Sequence, residues 1–174
     1  MTSERSSRAT RPSTRELVIT RIVDAPRELV WKAWTDPESF KKWYGPKGVT
    51  TTFAEIDLRV GGKHLNCMRS PEGPEFWYTG TYREVVPMER LVYTDSLADA
   101  QGNVVPATHY GMPAEWPSET LVTVTFQDQG RKTKMTLRHG GIPTGPMSDG
   151  AAAGWNGSFD KLAGVLEETK TRLR

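Results

Sequence analysis

The chain has one cysteine, Cys67, in 174 residues. No internal disulfide can form, and a lone thiol suits a reducing compartment, so a cytoplasmic location is expected. Histidine is nearly as scarce: His64, His109 and His139 are all there is. None stands in an HExxH-type spacing and Cys67 lacks a CxxC partner, so no metal site is expected. There is no GxSxG, no paired Cys/His nucleophile signal and no phosphate-loop pattern, and no cofactor is expected. Gly61-Gly62 and Gly140-Gly141 read as turns that use the left-handed conformation. No apolar run approaches the ~18 residues of a membrane span, and the N-terminus lacks the apolar core of a signal peptide. A basic face is missing too. The net charge of +2 arises in the first fifteen residues, where Arg5, Arg8, Arg11 and Arg15 face only Glu4. The remainder is near neutral, which argues against a nucleic-acid partner.

What the chain does have is aromatic residues, including six tryptophans, the type that supplies large buried areas. Near the C-terminus, Trp155, Phe159, Leu162 and Leu166 follow one another at spacings of four, three and four. That spacing makes one apolar stripe on a long helix, expected over 149–173. Residues 1–14, rich in Ser, Thr and Arg, read as a disordered basic leader, and 15–174 as a single domain.

Between leader and helix the chain reads as short strands. Residues 15–23 alternate Leu17 and Ile19, with Ile22 as a further inward candidate, against polar neighbours. Asp24 and Pro26 then read as cap and first turn of a short helix ending at Trp34. Thr35-Asp36-Pro37 starts a second, carrying Phe40 and Trp43 and ending at Gly45-Pro46. Strands are expected over 49–58, 64–69, 75–86, 90–97, 119–127 and 133–139, separated by Gly/Pro/Asp turns in a meander. Residues 98–118 form a loop long enough to need a function, and its prolines, Met112 and Trp116 suggest a lid. A single aromatic-striped helix after an antiparallel sheet must lie across that sheet, and a curved sheet would then enclose a cavity.

Four segments carry a family resemblance: DAPRELVWKAWTDPESFKKWYGPKG (24–48), DLRVGGKHL (57–65), YTGTYREVVPMERLVYT (78–94) and AGWNGSFDKLAGVLE (153–167). In this order they resemble the activator-of-heat-shock-protein-ATPase-like branch of the START/polyketide-cyclase (SRPBCC, birch-pollen-allergen-like) superfamily. The resemblance implies an α+β helix-grip fold. In that fold a curved antiparallel sheet of six or seven strands wraps a long C-terminal helix, with two short helices after the first strand. It also implies a cavity of the kind in which relatives bind lipids, polyketides or other hydrophobic metabolites, or act as cyclases and aromatases. The eponymous co-chaperones carry a further N-terminal domain. With about fourteen residues in that place here, no chaperone partner is expected.

Strand phase and helix stripe converge on a candidate pocket. Tyr78 and Tyr82 share a face on either side of Gly80, which is expected to leave room for a helix or ligand. Tyr93 has the same phase on the next strand, and His139 follows Met135 and Leu137 toward the core. Trp155 and Phe159 come from the helix, Met112 and Trp116 from the lid, and Trp43 is expected at the mouth. The expected function is binding of a small hydrophobic or aromatic molecule. The alternatives are a cyclase- or hydrolase-like enzyme using His139, His109 or a tyrosine as acid/base, and a chaperone ATPase co-activator. A catalytic role is not the favoured reading, and a homodimer is compatible with the sequence.

Overall fold

The structure, a computed structural model, describes residues 14–173. The expectation for the leader therefore lies outside the described residues, except that Thr14 already opens the first strand. Seven strands run β1 (Thr14–Val23), β2 (Thr50–Ile56), β3 (Lys63–Arg69), β4 (Glu75–Val86), β5 (Arg90–Ala98), β6 (Thr120–Gln129) and β7 (Lys132–Pro143). The helices are α1 (Arg27–Thr35), α2 (Pro37–Phe40) and α3 (Pro146–Arg172), with a 3₁₀ turn at Ala107–Tyr110. The strands form one open antiparallel sheet in the order β1-β7-β6-β5-β4-β3-β2. This is the expected α+β helix-grip architecture.

β1 and β2 sit at opposite edges of the sheet, although they are consecutive strands. The connection between them must cross the whole sheet, and α1 and α2 make that crossing. Register shifts at Arg15/Leu17, Thr51/Phe53 and Tyr82/Glu84 bend the strands they interrupt. One face of the bent sheet carries the period-two apolar set: Val122, Val124 and Phe126 on β6, Met135 and Leu137 on β7, and Leu91 and Tyr93 on β5, all buried.

Several local expectations are corrected by packing. Ile22 points outward and is 53% exposed. Strict alternation from Leu17 and Ile19 gives the inward phase to Arg21, whose guanidinium reaches α3 at Asp160 (3.0 Å) and Asn156 Oδ1 (3.1 Å). Asp24 does not cap α1; Pro26 holds that position without a side-chain bond, and Asp24 pairs with Lys170 of α3. Asp36 does cap α2, accepting from the Ser39 N–H at 3.0 Å. α2 ends at Phe40, so Trp43 and Tyr44 follow it in a turn.

Trp34 of α1 is the centre of the core. Its ring meets Trp43 at 4.8 Å, Trp155 at 6.1 Å, Phe159 at 6.2 Å and Phe126 at 6.3 Å. Its indole N–H points at Met135 Sδ (3.4 Å). One side chain thus joins α1, the turn after α2, α3 and the sheet. Trp34→Ala is expected to cost about 3–5 kcal/mol, read as a lowered midpoint in denaturant unfolding. A loss below about 1 kcal/mol would deny Trp34 this central place.

Candidate functional site

α3 covers only part of the sheet. Its stripe from Trp155 to Leu166 is buried, whereas its first turns overhang the β3–β5 half. A cleft of about 360 Å³ lies between them. Helix residues Pro146, Met147, Ala151 and Trp155 form one wall; Tyr44 and Pro46, just after α2, form another. The sheet contributes Met68, Tyr78, Asp95 and His139. Met112, Pro113 and Trp116 of the long loop complete the lining. The base of that loop is held by Tyr110, whose hydroxyl donates to the Ala98 carbonyl and accepts the Trp77 N–H.

Of the nine residues that the sequence suggested, the structure brings five onto this lining: Tyr78, His139, Trp155, Met112 and Trp116. The other four lie behind it. Tyr82 and Tyr93 are 4% exposed and border a void of about 10 Å³ with His64 and Asn66, the size of a single water. Phe159 packs against Trp155 at 5.6 Å within the core. Trp43 is fully buried, not at the mouth, because its indole N–H is held by the Ala33 carbonyl at 2.9 Å. Gly80 also has another reason than the one expected. A β carbon there would collide with the Thr94 carbonyl and with His64 Nε2, so the glycine makes room for His64, whose Nε2 donates to that carbonyl at 2.9 Å.

His139 is the partner in a directed chain of hydrogen bonds. The Trp155 indole N–H donates to Nδ1 (3.0 Å), so the ring proton sits on Nε2 and donates to Thr120 Oγ1 (2.8 Å). Thr120 in turn donates to the Asp95 carbonyl (3.3 Å). Burial lowers the His139 pKa to about 4, and the indole N–H aimed at Nδ1 opposes a second proton. His64, buried as well, is also lowered to about 4. His109 is exposed and outside the lining.

The residue that sequence reasoning passed over is Asp95. Its Oδ1 is sealed from solvent and has no hydrogen-bond partner among the described residues. Burial pushes its pKa up to about 7. The same carboxylate helps hold the phenols of Tyr44, Tyr78 and Tyr93 above their ordinary range, after burial itself. The signal was in the strand phase: Leu91, Tyr93, Asp95 and Leu97 alternate inward along β5, and an acid in that series needs a partner.

The sequence as a whole matches a family described as activator of Hsp90 ATPase homolog 1-like protein, over residues 24–167. The chain belongs to this family. Protein CV1439 from Chromobacterium violaceum is 28% identical, with a TM-score of 0.73 over 87% of this chain and 96% of that one. Protein NE0264 from Nitrosomonas europaea is 27% identical, with a TM-score of 0.72 over 90% and 96%. The AHSA1 protein from Silicibacter pomeroyi, at 21% identity and a TM-score of 0.73 over 89% and 99%, shares the fold. No curated protein matches. In this activator-homologue-like chain no helix among the described residues is long and apolar enough to cross a membrane, and no His/Cys/Asp/Glu cluster among them is fit to hold a metal.

Two titrations test the site. His139 contributes stability that is fully present above pH 6.5 and lost as the pH falls through about 4. By NMR it should remain neutral until near that value, and Trp155→Phe should raise its titration by about one unit; an ordinary titration in the parent protein would contradict the hydrogen-bond chain. Asp95 has the opposite sign: its contribution is present below pH 3.8 and lost as the pH rises through about 7. Relative to Asp95→Asn, the parent protein should therefore lose on the order of 4 kcal/mol between pH 4 and pH 8. Parallel stability curves would remove Asp95 from the buried carboxyls.

Proposed function

We propose that this protein binds a small hydrophobic or aromatic molecule, lipid- or polyketide-like in character, in the cleft between α3 and the sheet. The observation that carries this reading is the lining itself: Met68, Met112, Pro113, Trp116, Met147 and Trp155 present an apolar surface around about 360 Å³, within the range of small-molecule sites. The cleft lies where the long loop meets the first turns of α3. Two methionines and a tryptophan at its rim supply adaptable contact area. The remaining large exposed apolar residues, such as Ile22, Val60, Val104 and Leu121, belong to separate elements, which favours the cleft over a chaperone-docking face. The buried lone thiol of Cys67 fits a cytoplasmic setting.

A second reading, catalysis in the same cleft, is favoured by one group. A carboxyl with a pKa near 7 is poised to exchange a proton at neutral pH. It replaces His139 and His109 as the acid/base candidate, since the former has both ring nitrogens engaged and the latter lies outside the lining.

Native mass spectrometry of protein purified from its own host is expected to show a stoichiometric hydrophobic adduct. Met112→Ala and Trp116→Ala should each weaken its binding by roughly tenfold, while thermal stability changes little, because both side chains are half-exposed. Unchanged affinity in both variants would move the site elsewhere.

A further inference from the structure

Asp95 also bears on the chemistry of the ligand, and the inference rests on the container reading above. A carboxyl in an apolar cleft is costly unless something pairs with it. Among the described residues nothing bonds to its Oδ1, and no Lys or Arg lines the cleft. The other titratable groups around it are Tyr44, Tyr78 and His139 on the lining and Tyr93 behind. The three phenols are held above their ordinary range and the imidazole below its own, so all four are neutral near pH 7. The cleft therefore presents one acid and no base. An anionic ligand would meet no counter-charge and would face Asp95. A neutral ligand would leave the carboxylate without a charged partner. The aromatic rings of Tyr44, Tyr78, Trp116 and Trp155 on the lining are the type of surface that attracts a cation.

We infer that the cleft selects a hydrophobic amine, with its ammonium group on the Asp95 carboxylate and its apolar body against Met112, Trp116, Met147 and Trp155. The ammonium supplies the charge-assisted hydrogen bond that Asp95 lacks. The proton balance follows. Below about pH 7 the carboxyl is protonated in the free protein, so binding an ammonium ion displaces one proton to solvent. Well above that pH it displaces none.

The test uses the full chain and two probe series that differ only in the head group: tryptamine, tryptophol and indole-3-acetate, and octylamine, octanol and octanoate. By calorimetry the amine of at least one series should bind about tenfold or more tighter than its alcohol, with the acid weakest. Repeated at pH 5.5 in buffers of different ionisation enthalpy, amine binding should release close to one proton; at pH 8.5 it should release none. Asp95→Asn should bring the amine down to the level of the alcohol and abolish the proton release. An alcohol or acid that binds as tightly as its amine in both series overturns the amine inference and leaves the container reading standing. So does proton release that survives Asp95→Asn. No binding by any of the six probes overturns the inference and counts against the cleft as a ligand site altogether. Met112→Ala separates the two failures, since it should weaken all members of a bound series together.

Discussion

The concave side of this molecule depends on how one indole is held. Trp155 packs its ring on Trp34 and Phe159 and gives its N–H to His139 Nδ1. The apolar contacts position α3 along the sheet. The hydrogen bond sets its rotation, because a buried N–H that missed its acceptor would cost about 1–3 kcal/mol. With that rotation set, the small residues Gly150, Ala151 and Gly154 face the cleft beside Trp155. Gly157 does another job: a side chain there would press on the Lys47 backbone N at 3.1 Å. The chain from Trp155 through His139 and Thr120 to the Asp95 carbonyl ties α3 to three successive strands. Burial keeps the imidazole neutral, so a residue that titrates near neutral pH when free is here a fixed part of the wall.

The cleft follows from topology as much as from side chains. Because β1 and β2 occupy opposite edges, α1 and α2 must pass over the concave face between them. They share that face with α3. Among helices and strands, α3 packs mainly on β1, β7 and α1, which places its packed half over one side of the sheet. Beside Met68, Tyr78 and Asp95, on β3, β4 and β5, the long loop after β5 is the element that completes the cleft. Met112, Pro113 and Trp116 arrive there because Tyr110 anchors the loop to Ala98 and Trp77.

Asp95 runs against the stability of the fold. The strand around it is largely buried, and a leucine in its place would pack without needing a partner. Buried groups left unsatisfied are a recognised feature of binding and reacting sites, where the missing partner comes from the ligand. The fold tolerates the carboxyl because the aromatic core around Trp34 is large and because Asp95 lines a cleft rather than lying in solid protein.

The sequence by itself determined the period of every element. Alternation along β5, β6 and β7 dictated which residues face inward, and the stripe at Trp155, Phe159, Leu162 and Leu166 dictated the buried face of α3, because both periods are properties of backbone geometry alone. Tyr78, His139, Met112, Trp116 and Trp155 were legible as cleft residues from phase and from loop length. Depth was not legible. Tyr82, Tyr93, Phe159 and Trp43 have the correct phase, yet the bulge after Tyr82 and the ring of Trp34 place them behind the lining. Likewise alternation alone gives the inward phase to Arg21 rather than Ile22, but the partners that make an inward guanidinium acceptable, Asp160 and Asn156, arrive only with α3. Whether Asp95 was paired, and whether His139 was free, depended on which atoms from distant segments arrived within about 3 Å. Local periodicity carries no information about such long-range distances, and they are set only when helix and sheet close on each other.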